Sequence, residues 1–171
     1  MSGESPQRPW IEGDLTIERS VLDDIQAHAL ECYPSESCGF VSGPRGDVPL
    51  LDASVREENE ADKYHKLDPE TFPRTSKTYF KINELRAART FEQGQAEGRP
   101  VKVIYHSHCD AGAYFSQEDA ATFANGGQLM WPCAYIVVSI MDGKVAERRL
   151  WVHEPGTNHF KESTLRILDE T

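Results

Sequence analysis

Apolar positions in residues 21–33, VLDDIQAHALECY, fall at Val21, Leu22, Ile25, Ala29 and Leu30. That spacing predicts an amphipathic helix, with Ser20 as its N-cap and Pro34 ending it. The pattern then shortens. ESCGFVSG reads as a strand closed by Gly43, PRGD as a turn, and DVPLLDASVRE as a second strand. Residues 57–78 hold two prolines and no clear period, which predicts a long loop, and such loops in small domains are usually functional or disordered. TYFKI reads as a strand. Asn83 opens a helix, ELRAARTFEQGQAEG, that ends near Gly98, and VKVIYHSH after Pro100 reads as a strand. Ser116 opens a helix through SQEDAATFANGG. CAYIVVSI and KVAERRLWVHE form the arms of a hairpin with MDGK at its turn, and STLRILDE suggests a short final helix. The elements together predict an α/β (α+β) fold, a mixed, curved sheet flanked by helices. The expected organisation is a disordered tail over 1–13, one domain over 14–152 and a C-terminal extension over 153–171.

Length and charge narrow the function classes. A chain of 171 residues is long enough for a real core. Its formal net charge of −10 argues against nucleic acid and anionic membrane as partners, because both need a basic face. Cys32, Cys38, Cys109 and Cys133 form no C-x-x-C pair, so neither a disulfide framework nor a closed zinc finger is expected. A reduced, cytoplasmic protein is the plain expectation. MSGESPQRPW lacks the apolar core of a secretory signal, and no apolar run reaches the length of a membrane span.

The candidate chemistry lies in IYHSHCDAGAYFSQED, residues 104–119. Residues two apart on a strand share a face, so His106 and His108 can present two imidazoles to one metal ion. Alone, H-x-H is as compatible with two polar residues at a strand end. Ser116 and Asp119 have capping-box spacing and can serve the helix alone. The short loop between strand and helix nevertheless keeps Asp119 within reach of the histidines. Two His and one carboxylate leave a fourth position open, which is a catalytic rather than a structural zinc arrangement. Such a site also needs a general base for water, and Glu36 is the best candidate by position, although an isolated loop Glu is more often merely exposed.

H-x-H, seven residues, Ser, two residues, Asp resembles the metal motif of the JAMM (MPN+) zinc peptidases, and His106 to Asp119 match it without a gap. Pro34-Ser35-Glu36-Ser37-Cys38-Gly39 is similar to the P-x-E-x-C-G context of the family's upstream Glu. The order of elements over about residues 14–152 also looks like that family, most of all its small stand-alone bacterial members. The resemblance implies an MPN/JAMM, cytidine-deaminase-like architecture. It implies Zn²⁺ held by His106, His108 and Asp119, Glu36 as general base, and Ser116 donating to the oxyanion. It implies a peptidase or isopeptidase acting after the C-terminal Gly-Gly of a ubiquitin-like or sulfur-carrier protein, bound by strand addition. Tyr64, Phe72, Tyr79 and Phe80 would then line a substrate channel or anchor the 57–80 loop. One position departs from the pattern. Cys109 stands where small bacterial members commonly have Pro, and its thiol either fills space or reaches the metal.

Rival readings are a non-catalytic MPN scaffold, which typically lacks these ligands, and a regulatory metal-binding module, which would not need Glu36. A zinc nucleobase deaminase fails on its own residues. Pro132-Cys133 is present, but residue 136 is Ile and no H-x-E occurs. The net charge weighs against a DNA-repair role.

Overall fold

The strand Val101–Cys109, β5, sits in the middle of the sheet that organises this chain. The computed structural model describes residues 8–169. In chain order, a 3-10 turn (Pro9–Glu12) leads to β1 (Leu15–Glu18), α1 (Arg19–Cys32), β2 (Cys38–Ser42), β3 (Leu50–Leu51), β4 (Ala53–Glu57) and α2 (Ala61–Leu67). Next come α3 (Glu84–Ala96), β5, α4 (Gln117–Phe123), β6 (Ala124–Asn125) and β7 (Gln128–Leu129). Then follow β8 (Ala134–Met141), β9 (Lys144–His153), β10 (Phe160–Ser163) and β11 (Leu165–Leu168).

The main sheet runs β10-β9-β8-β5-β2-β4, with β5 parallel to β8 and antiparallel to β2. β5 has neighbours on both sides and is buried along nearly its whole length, so its polar residues, Lys102, His106, Ser107 and His108, are buried as well. One face of the sheet, with Val103, Tyr105, Ile136 and Val138, packs on Leu22, Ile25 and Ala29 of α1. The other face, with Phe40, Ile104 and Tyr135, packs on Ala87 and Phe91 of α3 and on Phe123 of α4. His106 and His108 emerge at the far end of that second face. A smaller parallel sheet, β11-β1-β3, lies beside the main one. Among the described residues no helix is long and apolar enough to cross a membrane.

Several expectations are corrected. Ser20 is not an N-cap: α1 starts at Arg19, Glu18 stands at the cap, and no side chain caps it, because β1 feeds straight into the helix. The single strand DVPLLDASVRE is broken at Asp52, so that β3 pairs with β1 and β4 with β2. The loop expected over 57–78 contains α2. TYFKI is not a strand. Asn59 takes its place in the bonding, donating to Glu36 O and Tyr79 O and accepting from Lys81 N and Ala61 N. The helix after Ser116 stops at Phe123, where Gly126 and Gly127, both at positive φ, turn β6 into β7. STLRILDE is not a helix. β11 pairs with β1, Leu165 and Ile167 being half-buried between exposed neighbours with a period of two. Of the expected tail, residues 1–7 lie outside the described residues. Residues 9–12 are folded, with Trp10 buried and its indole N–H donated to Pro132 O.

Candidate metal centre

β5 carries His106 and His108 on one face at its C-terminal end, both buried. Their Nε2 atoms lie 3.2 Å apart. Asp119 Oδ2 lies 3.0 Å from His106 Nε2 and 3.2 Å from His108 Nε2. Asp119 reaches them because Ser116 stops the loop from β5 and starts α4 with a reciprocal capping box. The Ser116 hydroxyl oxygen accepts from Asp119 N–H at 3.0 Å, and Asp119 Oδ2 accepts from Ser116 N–H at 3.1 Å. The cap therefore occupies one lone pair of Ser116 Oγ and leaves its proton free.

Glu36 arrives from the opposite wall. Its main chain is fixed on two sides, its N–H donating to Ser76 O at 2.7 Å and its carbonyl accepting from Asn59 Nδ2 at 2.9 Å. The next residue is tied to the H-x-H strand: Ser37 N and Oγ both donate to Ser107 Oγ, and Ser107 N donates to Ser37 O. Ser107, between the two histidines, thus sets the position of Glu36 relative to them. Glu36, His106 and His108 offer ligand atoms within 4.8 Å of one another.

The electrostatics suit a cation. His108 Nδ1 is 2.8 Å from Gly112 O, and a carbonyl only accepts, so Nδ1 carries a proton and the lone pair of the neutral ring is on Nε2. Burial holds His106 below its ordinary pKa against the pull of Asp119, so this ring is neutral at pH 7. Burial opposes ionisation of Asp119, but the facing histidines outweigh it and hold its carboxyl well below the carboxylate range. Burial first, then the Asp119 charge, push Glu36 up to about 9, with Arg74 acting the other way. A tetrahedral zinc ion with bonds of about 2.0–2.1 Å separates its ligand atoms by about 3.3 Å. The three converging atoms already stand close to that spacing, and a divalent ion would take His106 through the same Nε2 that now meets Asp119 Oδ2.

Phe80 lies against the back of His106, ring centroids 4.3 Å apart and 21° between planes. It is buried and, with Tyr79, also lines an apolar groove of about 550 Å³ running past Ile82, Ile104, Phe123 and Trp131. Tyr64 and Phe72 instead pack on each other, 5.0 Å between centroids. Cys109 is not part of the converging group among the described residues. It is a half-buried free thiol that burial pushes up to about 12, and so it stays protonated. Sequence reasoning missed Ser107, Asn59 and the Gly112 carbonyl, and it named Phe80 as a channel wall or loop anchor without its stacking on His106. Only Ser107, inside the motif, carried any local signal.

A mixed sheet whose central strand presents two histidines to an Asp of the following helix, with a buried Glu opposite, fits the JAB/MPN class. The chain belongs to the prokaryotic homologs of the JAB domain, matching that family over residues 18–154. It is 31% identical over 108 residues to proteins named CysO-cysteine peptidase in Mycobacterium tuberculosis and Mycobacterium bovis. That match takes in 61% of this chain and 62% of the relatives' length. In fold it is similar to a protein of Desulfitobacterium hafniense solved in solution (TM-score 0.67, 18% identity, 91% of this chain and 94% of that one). It is also similar to a Salinibacter ruber protein (0.58, 25% identity, 90% and 92%). A JAB1/MPN domain protein of Archaeoglobus fulgidus shares the fold (0.50, 16% identity, 91% and 99%).

Proposed function

We propose that this protein is a zinc-dependent peptidase that hydrolyses the bond after the C-terminal Gly-Gly of a ubiquitin-like or sulfur-carrier protein. The observation that carries this reading is the convergence of His106 Nε2, His108 Nε2 and Asp119 Oδ2 at 3.0–3.2 Å with the buried Glu36 beside them. The CysO-cysteine peptidases among its relatives support the carrier and the reaction class.

His106, His108 and Asp119 would hold Zn²⁺. Bound there, the ion supplies Lewis acidity toward water and toward the scissile carbonyl. Burial raises Glu36 to about 9, and the charge of a divalent ion beside it would return it to the carboxylate that takes a proton from the attacking water and passes it to the leaving amine. Ser116 donates its free O–H to the oxyanion while one lone pair stays on the helix cap. Phe80 keeps His106 dry and in place. The groove beside Tyr79 and Phe80, next to the ring that stacks on His106, is the path proposed for the extended tail, whose two glycines carry no side chain to accommodate. The cytoplasm is the compartment that fits this chemistry.

The test compares wild type with Glu36→Gln. Zinc per chain is counted, and each protein is incubated with a Gly-Gly-ending carrier bearing a C-terminal extension. The expected result is about one zinc in both, cleavage after the second glycine by wild type, and a loss of at least about 100-fold in Glu36→Gln. Zinc-free wild type would return the chain to the scaffold reading. Equal cleavage by both proteins would remove Glu36 from the mechanism.

A further inference from the structure

Residues 68–83 form one wall of the centre without regular secondary structure. Ser76 fastens this wall alongside Glu36. Its carbonyl accepts from Glu36 N–H, its hydroxyl meets Ser35 Oγ at 2.9 Å, and its N–H and O–H go to Asp62 of α2 at 2.7 and 2.8 Å. Two residues earlier, Arg74 crosses to the opposite wall. Its Nη2 donates to Glu118 Oε1 at 2.8 Å, on the first turn of α4 and next to Asp119, while Nη1 donates to Thr78 O at 3.2 Å. The guanidinium therefore spans the mouth from the Glu36 side to the Asp119 side. It remains 42% exposed. Among the described residues its hydrogen bonds use two of its five N–H groups, which leaves a partly free fork facing solvent.

The surroundings of that fork are acidic. Glu36, Glu118 and Asp119 lie around the mouth, and Asp110 follows the H-x-H strand. Beside the ion proposed for the centre, Arg74 is the cationic side chain hydrogen-bonded across this mouth, and its charge reaches Glu36. We propose that Arg74 binds the free α-carboxylate of the residue being released, so that the protein removes a single C-terminal amino acid from its carrier. This rests on the peptidase reading above. Water adds its oxygen to the carbonyl carbon of the terminal glycine, and the C–N bond breaks. The amine leaves with the proton returned by Glu36. The products are a carrier ending in a glycine carboxylate and one amino acid whose own carboxylate sat on Arg74. An isopeptide to a lysine side chain has no carboxylate at that place and gains nothing from Arg74.

The test uses the full chain with zinc and two carriers ending Gly-Gly-Ala, one with a free carboxylate and one amidated. Wild type is expected to favour the acid in kcat/KM by about tenfold or more, the discrimination a site shows when its hydrogen-bonding group loses its partner. Arg74→Ala is expected to bring that ratio near one, chiefly by raising KM on the acid. Arg74→Lys, which keeps the charge without the fork, should retain part of it. Zinc content and circular dichroism establish that the variants are folded, and Arg74→Gln serves if Arg74→Ala is not. Equal cleavage of acid and amide by wild type overturns the proposal. So does a variant that slows both substrates by one factor and leaves the ratio intact, since Arg74 is then only a latch to Glu118. Failure of zinc-loaded wild type on both carriers overturns the peptidase reading itself, a different result from either.

Discussion

His108 holds Nδ1 2.8 Å from the main-chain carbonyl of Gly112, in the loop that leads from β5 to α4. The carbonyl of one residue takes the Nδ1 proton of the other, which turns Nε2 toward His106 Nε2 and Asp119 Oδ2, each 3.2 Å away. A cation held among these three atoms would tie β5 to α4 in the folded chain alone.

Metal removal should therefore cost stability as well as activity. A ligand present at about 100 times its Kd adds about 2.7 kcal/mol, and a chain of this size shifts by about 2–4 °C per kcal/mol. Stripping with a chelator is expected to lower Tm by about 5–10 °C, reversed by zinc. Asp119→Asn should hold far less zinc and show little chelator effect. A chelator-insensitive wild type would mean that the cluster holds no metal.

Ser116 has two separable duties. Ser116→Ala loses the cap on α4, about 1 kcal/mol, seen as a fall of about 2–4 °C in Tm. It also loses the oxyanion donor, for which a fall of about 10²–10³ in kcat is expected. Ser116→Thr retains both groups and should recover most of each. Recovery of stability without recovery of kcat would show that Ser116 only caps.

Gly39 lies on β2 where a Cβ would stand 2.3 Å from Val55 O and 2.5 Å from the Tyr105 ring. The first is strand backbone and the second a fully buried ring, so neither can give way. Gly39→Ala is expected to destabilise by about 3 kcal/mol or more, or to prevent soluble expression, although it touches no candidate ligand. A chemical-denaturation midpoint close to wild type would contradict this.

Lys102 gives a pH signature away from the centre. It is fully buried, with Nζ donating to Val48 O at 2.6 Å and Leu50 O at 3.3 Å, and 5.6 Å above the Trp10 ring. Burial lowers its pKa to about 8, with Asp52 opposing and Arg99 assisting. The folded state then binds fewer protons than the unfolded state between pH 8 and the ordinary lysine value. Stability contributed by this group consequently rises with pH through that window, by at most about 1.4 kcal/mol per unit. Lys102→Met should lose that rise relative to wild type in denaturation series at pH 7, 8.5 and 10. Parallel pH curves for the two proteins would refute it.

Much of the frame was legible because it rests on local rules. α1, α3, β5 and the β8–β9 hairpin were each foreseen to within a few residues. Their apolar periods are long, and Asn83 and the Asp142-Gly143 turn mark their ends. The errors share a cause. TYFKI has strand composition, yet the Asn59 side chain satisfies its backbone without a ladder. STLRILDE reads locally as a short helix but its LRIL finds β1 as a partner, and Leu15 is 150 residues away from Leu165. Pairing at such distance leaves no trace in a local window.

The same division runs through the candidate site. The residue types and their spacing along the chain — two histidines on one strand face, Ser and Asp at the start of a helix, a Glu before β2 — were determined by the sequence, because each is a matter of strand period or cap chemistry. What only the tertiary structure decided is how they meet. Ser37 and Ser107 bring Glu36 to the histidines, Gly112 sets a tautomer, Phe80 seals His106, and Arg74 bridges the two walls. Those contacts join segments far apart in the chain, and their geometry exists only once the sheet and its helices have packed.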